Sequence, residues 1–299
     1  MLLENPIDNR RIQGRHVTDT FKTRPAHLLP VLASLIFGML CTYLVTQSQM
    51  EMSAVTPFPE GVGSLFNALY FVVLTSVGAA LLYLLLRRKR VKSITLITGF
   101  ALTLAVLLLS FVYLWAVFSI IALPDTLAII LDTAVSAFAA AAVDIAVFRN
   151  HRKASDVSVL LLGGGLGAFL GTSIQTLSAM LILLALAIYD VFAVYRGAVG
   201  KIAHSGLEQL RGLSFSFKDI QMGLGDLTFY SLLASLVWTR SNIIFLIASL
   251  AGLLIGVFIA FKMLERKGIF PGLPLPITLG LLPFLIYLSL TGTWGALLV

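Results

Sequence analysis

Long apolar stretches separated by short polar loops occupy almost the whole chain. A helix needs about 20 mostly apolar residues to cross a hydrocarbon core about 30 Å thick. Nine stretches meet this requirement and predict nine transmembrane helices, at roughly 27–47, 62–86, 94–122, 126–148, 156–173, 176–195, 222–239, 242–263 and 272–295. The boundary between the fifth and sixth depends on the polar break at 172–176. The pattern predicts an all-α polytopic membrane protein.

The polar loops differ in their content of basic residues. The N-terminal leader and the loops at 87–92, 149–153, 196–221 and 265–267 carry Lys and Arg, whereas the loops between them hold few or none. An excess of Lys and Arg stays on the cytoplasmic side. The alternation therefore predicts a cytoplasmic N-terminus and, after nine spans, a C-terminus outside.

Composition agrees with the hydropathy pattern. Of the 299 residues 59% are hydrophobic and 12% are charged, against about 25% charged in soluble domains. The net charge of +7 comes from the short loops and sets orientation, so it does not indicate nucleic-acid binding. We expect one membrane-embedded domain, 1–299, with a polar leader (1–25), a scaffold of helices one to five (27–173) and a functional part (176–299). The leader lacks the apolar segment of a signal peptide and is expected to remain in the mature protein.

Four aspartates fall within the predicted spans, where each costs at least about 2.5 kcal/mol on insertion scales. Asp144 lies near the basic loop at 149–153 and Asp132 near the outer end of its span, so structural roles are expected for both. Asp190 lies deep in an apolar run, and Asp226 follows two glycines. The predicted topology puts both in the cytoplasmic half, where they can meet.

Two carboxyls that face each other in a dry site cannot both ionise at low cost, so they share one proton and titrate as a pair. The charged carboxyl can take a proton from water while the neutral one donates to a peptide carbonyl, which is aspartic-protease chemistry. Rival hydrolytic sites lack support, because Cys41 stands alone and all four histidines lie in the leader or loops. This hypothesis needs no metal or cofactor.

Three short motifs carry a family resemblance. They are YD at 189–190, GLGD at 223–226 and PGLP at 271–274. They resemble the YD, GxGD and PAL motifs that the presenilin and signal peptide peptidase family of intramembrane aspartyl proteases has in its sixth, seventh and ninth spans. The strongest similarity begins near residue 180, and the size resembles an archaeal or bacterial member. The resemblance therefore implies residence in a prokaryotic, archaeal cell membrane.

The resemblance implies a role for each matching position. Asp190 and Asp226 would be the catalytic pair, and the substrates would be transmembrane helices of single-span proteins. The remaining positions would line or shape the site: Tyr189, Gly223, Leu224, Gly225, Pro271, Gly272, Leu273 and Pro274. Gly272 departs from the family, which has alanine there. Loop 196–221 is much shorter than the loop within which animal presenilins are cleaved, so autocleavage is not expected.

The prolines near the last span give a physical reading of the same region. Pro271, Pro274 and Pro276 lack backbone N–H groups and fit a helix only in its first turn. An irregular, strand-like edge before the helix could pair with an extended substrate.

Several alternatives stay open at this point. The aspartates could instead carry cations or protons in a transporter or leak channel, and prepilin peptidases share a GxGD motif. The stretch GGGLGAFLG at 163–171 resembles a nucleotide loop but sits within a span and favours close helix packing. Residues 204–217 have some amphipathic character, so this stretch is either a segment that lies on the membrane surface or a flexible connector. Homo-oligomer formation is also left open.

Overall fold

The computed structural model describes residues 22–50, 52–148, 152–196, 214–217 and 220–294. After a short 3-10 turn, Pro25–Leu28, these residues form nine α-helices and one two-stranded sheet. The helices are α1 (Leu29–Gln47), α2 (Gly63–Arg87), α3 (Val91–Ile121), α4 (Asp125–Phe148), α5 (Arg152–Ser173), α6 (Thr176–Tyr195), α7 (Leu224–Arg240), α8 (Ile243–Lys267) and α9 (Pro274–Thr291). The strands are β1 (Ser214–Phe217) and β2 (Ile220–Gly223).

The helices confirm the predicted all-α multi-pass architecture. Their bounds differ from the predicted spans by a few residues, and the separation of α5 from α6 falls at the predicted polar break. Within the described ranges, eight helices are long and apolar enough to cross a membrane. The helix outside this group is α7, which has only 17 residues. The inside–outside orientation stays a prediction.

The core is built around α7, which packs against α5 and α1. Glycines of the 163–171 stretch lie on the contact face of α5, as the sequence favoured. A Cβ added to Gly163 would lie 2.6 Å from Cβ of Leu227, and one added to Gly171 would lie 2.6 Å from Cβ of Ser235. Both distances are too short for real side chains, so the close approach of α5 and α7 requires glycine here.

Hydrogen bonds between helices fix this packing further. Thr42 on α1 donates to the Ser235 hydroxyl on α7 at 2.7 Å. Between another pair of helices, Asn67 on α2 donates to the Ser178 hydroxyl on α6 at 3.0 Å. Glu60, in the loop before α2, accepts the backbone N–H of Leu177 at 2.6 Å. That N–H belongs to the first turn of α6 and has no partner within the helix.

A β-hairpin precedes α7 and corrects one expectation from the sequence. Strands β1 and β2 pair antiparallel, with Ser214 opposite Gly223 and Phe217 opposite Ile220. Residues 214–217 therefore form a strand rather than a flexible connector, and the seventh helix begins at Leu224 rather than at 222. Most of the remaining loop, 197–213, lies outside the described residues. The alternating FSF pattern of β1 is typical of a strand.

The chain between α8 and α9 is not helical. Helix α8 ends at Lys267, and α9 begins with Pro274 at its first position. Pro274 and Pro276 lie in the first turn of α9, where proline is best tolerated, whereas Pro283 lies inside the helix. Gly256 on α8 packs directly against Pro276, because a Cβ on this glycine would lie 2.7 Å from the proline nitrogen.

Candidate active site

Asp190 lies in the second half of α6 and is partly buried. Its Oδ2 accepts a hydrogen bond from the backbone N–H of Leu273 at 2.9 Å. The N–H of Gly272 also faces this carboxyl. The two donors exist because the chain is non-helical at 272–273, so these N–H groups have no helical partners.

Asp226 is the third residue of α7 and is also partly buried. Its carboxyl faces the backbone N–H of Gly223, the residue that precedes the helix. A side chain at this position commonly reaches back to that N–H in helix capping. Asp226 and Asp190 are close enough for their charges to interact.

Residues 272 and 273 form the bridge between the two aspartates. A Cβ added to Gly272 would lie 2.9 Å from Oδ2, 3.0 Å from Cγ and 3.1 Å from Oδ1 of Asp226. The backbone N–H of the next residue, Leu273, donates to the carboxyl of Asp190. The space that a methyl group at position 272 would occupy therefore adjoins the Asp226 carboxyl.

The other predicted positions lie next to these residues in the chain or at the start of α7. Tyr189 is partly buried on α6, and Pro271 and Leu273 are buried. Pro274 begins α9, while Leu224 and Gly225 form the start of α7. Among the described residues, a Cβ on Gly225 would meet only the Phe229 ring, at 3.9 Å, and one on Gly223 would have no neighbour nearer than 3.9 Å. The two glycines thus leave open space next to Asp226.

The other two intramembrane aspartates lie apart from this group. Asp132 and Asp144 are both on α4, which packs mainly against α3 and α5. Asp132 is fully buried and accepts a hydrogen bond from Ser136 at 3.1 Å. Asp144 accepts one from Thr103 on α3 at 2.7 Å. Both contacts fit the structural roles expected from the sequence.

Tyr230 is a site residue that sequence reasoning did not single out. It lies one turn after Asp226 and is 1% exposed. Its hydroxyl donates to the backbone carbonyl of Gly272 at 2.8 Å. The available signal was the spacing, because residues four apart on a helix share a face.

A membrane-embedded helical bundle with two carboxyls beside a non-helical backbone segment has the architecture of an intramembrane aspartate protease. The sequence model of the family described as "Signal-peptide peptidase, presenilin aspartyl protease" matches residues 30–207. The chain belongs to this family. The match includes Tyr189 and Asp190 and ends before Asp226.

Two solved structures have the same fold. Both are described as a presenilin family intramembrane aspartate protease, one in space group C222 and the other in P2. The first is 22% identical, with a TM-score of 0.63, and the match covers 88% of this chain and 98% of the other. The second is 23% identical, with a TM-score of 0.59 and coverages of 88% and 96%. A comparison with curated protein sequences found no match.

Proposed function

We propose that this membrane protease hydrolyses peptide bonds within the transmembrane helices of single-span proteins, with Asp190 and Asp226 as its catalytic pair. The observation that carries the proposal is the contact of one backbone segment with both carboxyls. Leu273 donates to Asp190, and Gly272 lies against Asp226. No other pair of the four intramembrane aspartates is joined in this way among the described residues.

The chemistry follows from two carboxyls that share one proton. The ionised carboxyl removes a proton from a water molecule, whose oxygen attacks the carbonyl carbon of the scissile bond. The protonated carboxyl donates a hydrogen bond and then its proton to the carbonyl oxygen. Collapse of the resulting tetrahedral species breaks the C–N bond. The leaving nitrogen receives the proton that the first carboxyl removed from water, and a hydroxyl of the tetrahedral species returns a proton to the second carboxyl. The products are one new carboxyl terminus and one new amino terminus.

The surroundings of the pair suit an extended substrate. A transmembrane helix satisfies its own backbone hydrogen bonds, so a scissile carbonyl is accessible only where the helix has opened. The non-helical segment at 269–273 offers backbone groups to an opened strand. The open space at Gly223 and Gly225 would admit substrate next to Asp226. In this proposal 27–173 is scaffold, 176–299 carries the site, and the bilayer is an archaeal cell membrane.

The test uses the purified full chain in detergent and a panel of single-span reporter proteins, with fragments read by mass spectrometry. Asp190→Asn and Asp226→Asn should each lower cleavage at least about 10²- to 10⁴-fold, the usual contribution of a general acid or base. Asp144→Asn is the matched control, because it changes an intramembrane aspartate whose described partner is Thr103. It should cleave like the unaltered protein.

If either Asp190→Asn or Asp226→Asn still cleaves the reporters, these two aspartates are not the catalytic pair. If the unaltered protein cuts no reporter in the panel, the transporter alternative is tested by ion flux in liposomes.

A further inference from the structure

The hydroxyl of Tyr230 has one described partner, the carbonyl oxygen of Gly272, to which it donates at 2.8 Å. The side chain lies inside the core, with only 1% of its surface exposed. A buried tyrosine of this kind needs a partner for its O–H. Here the partner is the backbone of the segment that touches both aspartates.

Three neighbouring backbone groups of this segment contact three different side chains. The Gly272 carbonyl accepts from Tyr230, the Gly272 Cα adjoins Asp226, and the Leu273 N–H donates to Asp190. Gly272 has no side chain, so its backbone contacts must fix it in place. Tyr230 and Asp226 are four residues apart on α7. A rigid helix therefore determines how the segment stands relative to Asp226.

We propose that Tyr230 is a positioning residue that sets the depth of residues 271–273 against the two aspartates, and thereby selects the peptide bond that is cut. This inference rests on the proposed function. An extended substrate that pairs with the segment aligns by backbone hydrogen bonds, and a slip of one residue presents a different carbonyl to the carboxyls. By its hydrogen bond to the Gly272 carbonyl, the Tyr230 hydroxyl keeps the segment in place. The substrate that pairs with the segment therefore stays in one register.

The first test is Tyr230→Phe, which removes the hydroxyl and keeps the ring. Tyr113→Phe is the matched control, because the Tyr113 hydroxyl also donates to a backbone carbonyl, that of Gly165 on α5. Both variants lose one such hydrogen bond and should show similar changes in Tm. Only Tyr230→Phe should change the cut. We expect a kcat about tenfold lower, the effect of one hydrogen bond, and products that begin at two or more neighbouring residues.

A second pair of variants distinguishes the effect of the hydrogen-bond donor from the effect of the side-chain volume. Tyr230 is replaced by 4-aminophenylalanine, which keeps an N–H donor at the same reach, or by 4-methylphenylalanine, which keeps the volume alone. The amino variant should restore the original cut site and the methyl variant should not. This pair also covers the case in which Tyr230→Phe fails to fold.

The inference is wrong if Tyr230→Phe and the methyl variant cut at the original bond with the kcat of the Tyr113→Phe control. That result would leave the catalytic pair standing, as long as Asp190→Asn and Asp226→Asn are inactive. If those two variants remain active, the proposed function fails first, and with it the basis for a role of Tyr230 in positioning.

Discussion

The two helices that carry the aspartates are held in different ways. Helix α7 is buried from Leu227 to Val237 except at Phe229, and it lies between α5 and α1. Helix α6 is buried over its first part, but around Asp190 it exposes Ile188 (73%) and Phe192 (58%). The position of Asp226 is therefore fixed by packing along a whole helix. The position of Asp190 depends on the outer part of α6 and on the backbone of 272–273.

This difference teaches that the site has one side formed by the core and one side closed by a loop. Small changes behind α7 should disturb the entire bundle. Changes at 272–273 should disturb the chemistry while the fold survives. Changes on the lipid-facing side of α6 should affect neither the packing of the bundle nor the chemistry.

The largest effect is expected on the packed side. Gly167→Leu places a side chain against the Thr228 carbonyl and the Ser231 side chain of α7, where no space exists. The two helices must separate, and we expect loss of the folded protein in size-exclusion chromatography and circular dichroism. The matched variant is Gly225→Leu, because open space surrounds that glycine. It should remain folded and lose cleavage by obstructing the substrate. A stable Gly167→Leu protein would contradict the view of α7 as the rigid side.

A smaller effect is expected from Gly272→Ala. The new methyl group would lie 2.9 Å from Oδ2 of Asp226 and displace the carboxyl. Misplacement by a fraction of an ångström to about 1 Å lowers rates by about tenfold to a hundredfold. The Tm should change little, and Gly78→Ala on α2, where nothing lies within 4 Å, is the control. Unchanged kcat would mean that Asp226 adjusts without cost.

The smallest effects compare two positions on α6. Leu186 is 1% exposed and Ile188 is 73% exposed. Leu186→Ala should lower the free energy of unfolding by about 2 kcal/mol, the low end for core truncations, because in a membrane mainly packing is lost. Ile188→Ala should stay within about 0.5 kcal/mol. Unfolding in a mixed-detergent titration measures both. Equal losses would show that α6 is packed on both faces.

Hydropathy alone predicted the helices well, since a membrane span is a local property of consecutive residues. The bounds of α6, 176–195, agreed with the prediction to the residue, and the polar break before it separated two helices whose spans otherwise adjoin. The four aspartates were also evident, because a carboxyl within an apolar run is rare. The strand at 214–217 was not predicted, because an alternation over only four residues is too short to identify a strand, and pairing with β2 decides the structure.

The sequence by itself determined that this is a multi-pass membrane protein, and its motifs indicated the family. It could not determine how the motifs touch. Leu273 and Asp190 are 83 residues apart, and Tyr230 and Gly272 are 42 apart. Contacts at such separations depend on helix packing, which glycines of α5 and α8 permit by close approach. Only the tertiary structure therefore placed one backbone segment against both aspartates and Tyr230, because every residue has a backbone C=O and every residue except proline has an N–H, so these groups do not distinguish one position from another in the sequence.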